Sequence, residues 1–385
     1  MRKYVIVRKP DATRGGGGSR GLETLGVERP SPIAYERLTE RDAASIAADP
    51  EVEAVAPAMP TKLIRPLAAD GSLTTQAWGL DAVGARLSGF TGQGVTVAIL
   101  DTGIDASHPA FKDMELEQRD FSGDGDGDRQ GHGTHCAGTV FGRDVDGIRI
   151  GVAPGIQRAL IGKVLGDTGG GDAEMILDGI NWALSRGANV ISMSLGFDFP
   201  GMVASWLKED WPPELATSNA LEAFRVNLRA FDAVMNLTKA RGGLGGGALI
   251  VAASGNESRR QDHPNWRIAA SLPAAADDVI SVAAVGQDGD RLSVASFSNS
   301  RALVSAPGVD IVSARAGGGL IALSGTSMAC PHVAGVAALW WEAIQRGGRT
   351  PSPTNVRAAL IDKALRDELE DYAEIDFGQG LVSAP

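Results

Sequence analysis

The alternation of short apolar runs with amphipathic segments, from Trp78 onward, constrains the fold of this chain more than any other feature. Short continuous apolar runs bounded by turn residues predict strands that are buried on both faces. The intervening segments have apolar residues at helical spacing. Strand and helix repeated in this way predict an α/β fold, a mostly parallel sheet flanked by helices on both faces. The predicted buried strands are 95–100, 160–165, 190–194, 249–253 and 279–285.

Residues 1–66 differ from the rest and predict a small α+β module. Two strands, 4–8 and 33–38, precede a short helix that Thr39 caps. Prolines between residues 57 and 66 then predict an exposed linker that extends to Ser72 and tolerates proteolytic nicking. We therefore divide the chain into three parts, which are the module 1–66, a linker 67–77 and a larger domain 78–385.

An insertion at about 197–247 separates two predicted strands of the larger domain. It contains a long helix candidate, 217–239, whose apolar face runs from Leu221 to Met235. The pattern is typical of a helix packed on the core. The alternative is a lid or partner-docking helix close to a functional site.

Composition excludes several classes of function. Lys and Arg total 36 against 47 Asp and Glu, a formal net charge of −11, so nucleic acid and membrane surfaces are not expected partners. The apolar stretch near the N-terminus is too short for a signal peptide, and no stretch is long enough to span a membrane. We expect a cytoplasmic protein, or one exported without a recognisable signal peptide. The two cysteines, Cys136 and Cys330, are expected to be buried and reduced.

Four polar residues stand where apolar runs end or helices begin. Asp101 follows the strand 95–100, and a carboxylate there needs water or a partner such as histidine. His132 lies between two glycines at the start of a small-residue helix, which lets a substrate backbone approach. Ser327 begins an apolar helix beside free N–H donors, and Asn256 follows a strand with an amide that can donate to an oxyanion.

Taken singly, the serine fits a helix cap and the asparagine fits a turn. In chain order, however, the motifs DTGID, GHGTHCAGT, ASGNE and SGTSMACPHVAG resemble the four signature blocks of the subtilisin-like serine proteases. The resemblance spans about residues 78–385. It implies the subtilisin-like α/β fold and a serine endopeptidase.

The resemblance also implies a role for each residue. Ser327 attacks the scissile carbonyl, His132 transfers its proton, and Asp101 orients the imidazole. Asn256 and the Ser327 backbone N–H bind the oxyanion, and no organic cofactor is needed. Two segments pair with an extended polypeptide substrate: Ser194, Leu195 and Gly196 on one side, and Ala253, Ser254 and Gly255 on the other.

Residues 1–66 resemble, through 4–7 and 38–52, the inhibitory prodomain of the same family. The resemblance implies that this prodomain is a partner of the enzyme and that the enzyme removes it by cutting itself within about 57–72. A glycine-rich stretch, 11–26, occupies the place where such domains usually have a first helix.

Two metal sites are open alternatives. His132 and His135 have the spacing of a zinc pair, but no nearby acidic motif supports zinc. The aspartates between 120 and 128 suggest structural calcium, although an EF-hand loop fails because Arg129 takes its glycine position. A solvated turn is the competing interpretation.

Two other functions compete with the endopeptidase. A binding protein that keeps the fold would use the insertion to dock one partner. An esterase or peptide ligase would use the same four residues with a different acceptor.

Overall fold

The computed structural model describes residues 1–9, 33–68, 77–242, 247–289 and 291–385. The glycine-rich stretch 11–26 lies outside the described residues, as does most of the predicted linker. The helices of the described part are α1 Glu40–Ala47, α2 Trp78–Ala82, α3 His132–Phe141, α4 Ala173–Ser185, α5 Phe199–Leu207, α6 Pro213–Gly242, α7 Thr326–Arg346, α8 Pro353–Asp362 and α9 Glu374–Phe377. None of these described helices is both long enough and apolar enough to cross a bilayer.

The strands of the described part form one large sheet and three small ones. They are β1 Arg2–Arg8, β2 Ile33–Leu38, β3 Val52–Pro57, β4 Pro60–Leu63, β5 Leu67–Ala68, β6 Thr96–Asp101, β7 Glu115–Asp120, β8 Arg158–Lys163, β9 Gly170–Asp172, β10 Val190–Met193, β11 Leu195–Phe197, β12 Leu249–Ala253, β13 Ile280–Asp288, β14 Arg291–Val294, β15 Val304–Pro307, β16 Ile311–Ala314 and β17 Leu320–Ser324.

The large sheet has the strand order β14-β13-β12-β10-β6-β8-β7, and β15 also pairs with β13. Its pairs are parallel except β13 with β14, which are antiparallel. Strand β6 shows why both faces are covered, because Val97 and Ile99 belong to one apolar core while Ala98 and Leu100 belong to the other. Helices α3 and α7 pack on the first core, and α4 and α6 pack on the second. The predicted α/β fold is confirmed.

The N-terminal unit is a sheet, β2-β1-β3, whose middle strand has four consecutive apolar residues, Tyr4 to Val7. Tyr4 and Ile6 face helix α1 in a small core of their own. Val5 and Val7 point to the other face and join the core that contains α4 and α6. The sheet is therefore sandwiched between its own helix and the larger domain.

The insertion forms helices α5 and α6. Ala220, Ala223 and Phe231 of α6 are buried in the second core, as expected for a helix packed on the core. The same core holds Val5 and Val7 of the N-terminal sheet, so α6 also supports that sheet. The prediction was wrong for Leu221, which is 52% exposed.

Candidate active site

Asp101 and His132 form a buried pair at the carboxyl edge of the large sheet. Asp101 ends strand β6, and His132 is the first residue of helix α3. The His132 Nδ1 atom lies 2.8 Å from Asp101 Oδ1, and both side chains are only 1% exposed. Because an ionised carboxylate can only accept, Nδ1 donates, and in the tautomer with its proton on Nδ1 the Nε2 atom is an acceptor. That Nε2 atom is buried and has no hydrogen-bond partner.

The start of helix α3 is fixed by close contacts with the loop that follows β6. A Cβ atom at Gly133 would overlap the carbonyl oxygen of Gly103, so only glycine fits there. Asp128 accepts from the backbone N–H of Thr134 at 2.8 Å and from the hydroxyl of Thr102 at 2.9 Å. Asp128 thus orients both elements of the pair, a role that the calcium interpretation of this aspartate missed.

Ser327 is the second residue of helix α7 and is fully buried. Its hydroxyl donates to the carbonyl oxygens of Ile64 at 3.2 Å and Ser194 at 3.3 Å. The hydroxyl is therefore directed to the backbone and not to the unpartnered Nε2 of His132.

Asn256 lies in the loop after β12, and the N-terminus of α7 orients its amide. Its Oδ1 atom accepts from the backbone N–H and the hydroxyl of Thr326, both at 2.9 Å. Its Nδ2 atom consequently points the other way and donates to the carbonyl oxygen of Arg65 at 3.2 Å. The amide is a fixed donor, as oxyanion binding requires.

Residues 60–68, which we call the cleft segment, run between the two halves of this site. Strand β4 pairs antiparallel with β11 and with β9, so that Leu63 lies opposite Leu195 and Lys62 opposite Gly196. Further on, Leu67 lies opposite Ser324 of β17. The predicted exposed linker is wrong for this part of the chain, because the prolines end or begin strands without preventing them.

The predicted substrate-binding residues surround the cleft segment. Leu195 and Gly196 pair with it directly, and the carbonyl oxygens of Ser194 and Ile64 both lie within hydrogen-bond distance of the Ser327 hydroxyl. A Cβ at Gly196 would lie 3.4 Å from Ile64 Cγ1 and 3.0 Å from Ser271 Oγ. The backbone N–H of Ser271 donates to the carbonyl of Ser254 at 3.0 Å. Ser254 and its neighbours Ala253 and Gly255 lie at the end of β12, and Ser271 connects Ser254 to this side of the cleft.

The Ser327 hydroxyl and the Asn256 amide contact the carbonyl groups of two neighbouring residues of the cleft segment. Ser327 Oγ donates to the carbonyl of Ile64, whereas Asn256 Nδ2 donates to the carbonyl of Arg65. A tetrahedral intermediate needs the nucleophile and the amide at the same carbonyl. In this structure the Ser327 hydroxyl and the Asn256 amide therefore do not meet at one carbonyl group.

Both cysteines lie beneath the site as free, buried thiols. Cys136 Sγ donates to the carbonyl of Ser327 at 3.4 Å and lies 3.8 Å from His132 Nδ1. Burial, the largest effect, raises the pKa of both thiols, for Cys330 to about 11. The expectation of buried, reduced cysteines is met.

The metal alternatives find little support in the geometry. In the described part of the chain, the one group of side chains that could hold a metal consists of Asp101, His132 and Cys136. This group does not contain His135, the residue expected to bind zinc together with His132. The carboxylates considered for calcium bind the loop itself, since Asp120 accepts from the N–H groups of Ser122 and Gly125 at 2.8 Å.

His135 and His332 are buried and neutral. His135 Nε2 contacts the carbonyl of Ile311 at 2.9 Å, and His332 Nδ1 contacts that of Met328 at 2.8 Å. Burial lowers the pKa of His135 to about 3 and that of His332 to about 4. Both histidines are structural.

These two histidines predict acid instability. Above pH 6.5 they are neutral in both states, so their contribution to stability is fully present; as the pH falls, the unfolded chain binds protons that the folded chain cannot. We expect the free energy of unfolding to fall by about 4 kcal/mol between pH 8 and pH 5 from this pair. Urea titration of the Ser327→Ala variant, which avoids self-digestion, measures it. A constant unfolding free energy over this range would contradict the prediction.

Comparisons with known proteins agree with this geometry. The model of the subtilase family matches residues 92–381. The chain is 31% identical over 343 residues to the thermostable alkaline protease of Halalkalibacterium halodurans, covering 88% of this chain and 81% of that protein. It is 30% identical over 374 residues to the M-protease of Shouchella clausii, covering 94% and 81%. It is 35% identical over 257 residues to the major intracellular serine protease of Bacillus subtilis, covering 65% and 69%.

Proposed function

We propose a mechanism from the premise that this chain belongs to the subtilase family and is a subtilisin-like serine protease. In this proposal, it is an endopeptidase that forms an acyl-enzyme on Ser327. The observation that best supports it is the buried Asp101–His132 pair, which leaves an unpartnered acceptor, Nε2, on the ring. An acceptor kept free in a buried site is what a general base requires.

The steps follow from these atoms. Ser327 Oγ attacks the scissile carbonyl carbon while its proton passes to His132 Nε2, and Asp101 stabilises the imidazolium. The oxyanion accepts from Asn256 Nδ2 and from the backbone N–H of Ser327. The C–N bond then breaks as His132 gives its proton to the leaving amine, and water releases the acyl group by the same route.

Substrate binding relies on the backbone. The cleft segment pairs with β11 and β9 as the middle strand of a small sheet, and we propose that an extended polypeptide substrate takes the same place. Main-chain pairing of this kind accepts many sequences, while pockets for alternate side chains give selectivity. This supports polypeptides as the substrate class.

We further propose that the chain is a proenzyme in which residues 1–64 act as an inhibitory prodomain. The N-terminal sheet packs on the larger domain through Val5 and Val7. The segment after it fills the cleft, and the carbonyl of Ile64 contacts Ser327 while Asn256 contacts the carbonyl of Arg65. A shift by one carbonyl would bring the oxygen of Ile64 to Asn256 and allow the enzyme to cut the Ile64–Arg65 bond.

Location is proposed from the relatives. Intracellular serine proteases of Bacillus subtilis and Paenibacillus polymyxa are among them. With the reduced thiols Cys136 and Cys330, these names support a cytoplasmic enzyme. Cell fractionation tests this proposal, and recovery of the protease from the culture medium would contradict it.

Replacing the amide donor tests the oxyanion site. We expect Asn256→Ala to lower kcat by about 10² to 10³ with little change in KM, the range measured for the equivalent loss in subtilisin, a member of this family. Steady-state kinetics on a peptide substrate measure both constants.

A control for this variant is Asn355→Ala, which removes an exposed asparagine of helix α8. We expect it to leave kcat within about twofold, as for surface positions in general. A kcat within tenfold of the wild type in Asn256→Ala would exclude this amide from the oxyanion site.

A further inference from the structure

Lys62 of the cleft segment lies between two carboxylates of the larger domain. Its Nζ atom is 2.9 Å from Asp198 Oδ1 and 3.8 Å from Glu257 Oε1. We call Asp198 and Glu257 the acidic pair. All three side chains are partly exposed, from 28% to 35%, so the contact is not part of the hydrophobic core.

The larger domain itself holds the acidic pair in place. Asp198 caps helix α5, with Oδ1 accepting from the backbone N–H of Gly201 at 3.1 Å. Glu257 Oε2 accepts from Asn299 Nδ2 at 2.8 Å. Neither carboxylate depends on Lys62 for its position, so both stay in place when another polypeptide replaces the cleft segment.

The position of Lys62 along the segment is defined by the site. In the proposed cut, Ile64, whose carbonyl accepts from Ser327, is the first residue before the scissile bond. Lys62 is the third residue before that bond, and its backbone pairs with Gly196 and Gly170 on the two sides. A substrate that pairs in the same register places its own third residue at the acidic pair.

We propose that Asp198 and Glu257 form a cation-binding subsite that selects polypeptides with Lys or Arg at the third residue before the scissile bond. This inference rests on the proposed function, since it takes the cleft segment as the guide to substrate register. It adds a charge requirement to the otherwise permissive pairing of backbones.

The expected preference is moderate, because partly exposed ion pairs are screened by water and salt. A single exposed pair changes an equilibrium by up to about fivefold. Two carboxylates facing one cation should together give about tenfold in kcat/KM at low salt. Salt at about 1 M, where the Debye length is about 3 Å, should remove most of it.

Three peptides test the inference. They share Leu at the second and Ile at the first residue before the cut and differ only at the third, which is Lys, Gln or Glu. The full-length chain is first incubated until its activity is steady. We expect kcat/KM for the Lys peptide to exceed that of the Gln peptide by about tenfold, with the Glu peptide lower still.

Two variants assign the preference to the acidic pair. Asp198→Asn keeps a good helix cap, and Glu257→Gln keeps an acceptor for Asn299. In the double variant we expect the Lys-to-Gln ratio of kcat/KM to fall to about one. The matched control, Glu222→Gln, removes an exposed carboxylate of α6 that pairs with Arg225, and should leave the ratio unchanged.

The outcomes separate the two proposals. Equal kcat/KM values for the three peptides, or a preference that survives in the double variant, would overturn the acidic subsite and leave the protease intact. Failure to hydrolyse any of the peptides or an unfolded protein would overturn the proposed function instead. The comparison of peptides uses the unaltered chain, so misfolding of a variant cannot hide the answer.

Discussion

Replacing Ser327 with alanine is expected to abolish peptide hydrolysis, with kcat lowered by about 10⁶-fold, the loss measured for the same change in subtilisin. The reason is that the Ser327 hydroxyl, which lies 3.2 Å from the carbonyl oxygen of Ile64, is the group that forms the acyl-enzyme in the proposed mechanism. The same variant should remain full length. The wild type, incubated at neutral pH, should lose residues 1–64.

Intact-mass measurement over time, with and without a chelator, follows both effects. The control is Ser185→Ala, which removes an exposed hydroxyl at the end of α4 that donates to the carbonyl of Trp182. This control should process like the wild type. If wild type and Ser327→Ala both stay intact and neither degrades an unfolded protein, the proposal of a proenzyme is wrong or activation needs a partner. In that case, a binding protein that docks one partner through its insertion becomes the better explanation. The chelator arm tests the calcium hypothesis separately.

Replacing Asp101 with asparagine is expected to lower kcat by about 10⁴-fold. An amide can donate to His132 Nδ1, which would put the proton on Nε2 and remove the base. The 2.8 Å contact and the near-complete burial of both side chains make the residue at position 101 the direct partner of His132 Nδ1. Single-turnover kinetics with an activated ester separate acylation from release.

The matched control is Asp105→Asn, four residues further along the same loop. Asp105 accepts from Ser107 and from the backbone N–H of Gly317, away from the imidazole. We expect its kcat to stay within about threefold of the wild type. A loss below tenfold in Asp101→Asn would show that the carboxylate is structural and not part of the reaction.

The sequence was enough to predict five strands of the large sheet, which are β6, β8, β10, β12 and β13, and the polar residues at their carboxyl edge, but not β7, β14 or β15. A strand whose buried residues alternate between two cores has a continuous apolar run, which can be recognised from the sequence. Asp101 directly follows such a run, so its position at the end of a strand could also be predicted. His132, Ser327 and Asn256 likewise stand at element boundaries, where the pattern changes. Parallel topology brings such boundaries to one edge.

The cleft segment could not be predicted in the same way. Its strands pair with β9, β11 and β17, which are remote in sequence, while its prolines locally favour a linker. The sequence does not indicate the acidic pair for a similar reason, because Asp198 and Glu257 meet only through the lysine between them. Contacts of this kind are a property of the assembled site and leave no periodic pattern in the chain.

The shared core beneath the N-terminal sheet has a consequence for the timing of activity. While the chain is continuous, the cleft segment competes with substrate at the high effective concentration of an attached ligand. If the proposed cut after Ile64 takes place, Val5 and Val7 would still bury their side chains against the larger domain, and the fragment would stay bound as a separate molecule. Under this proposal, release of the fragment would depend on dilution and on its own digestion, so that activity would appear after a delay that protein concentration controls.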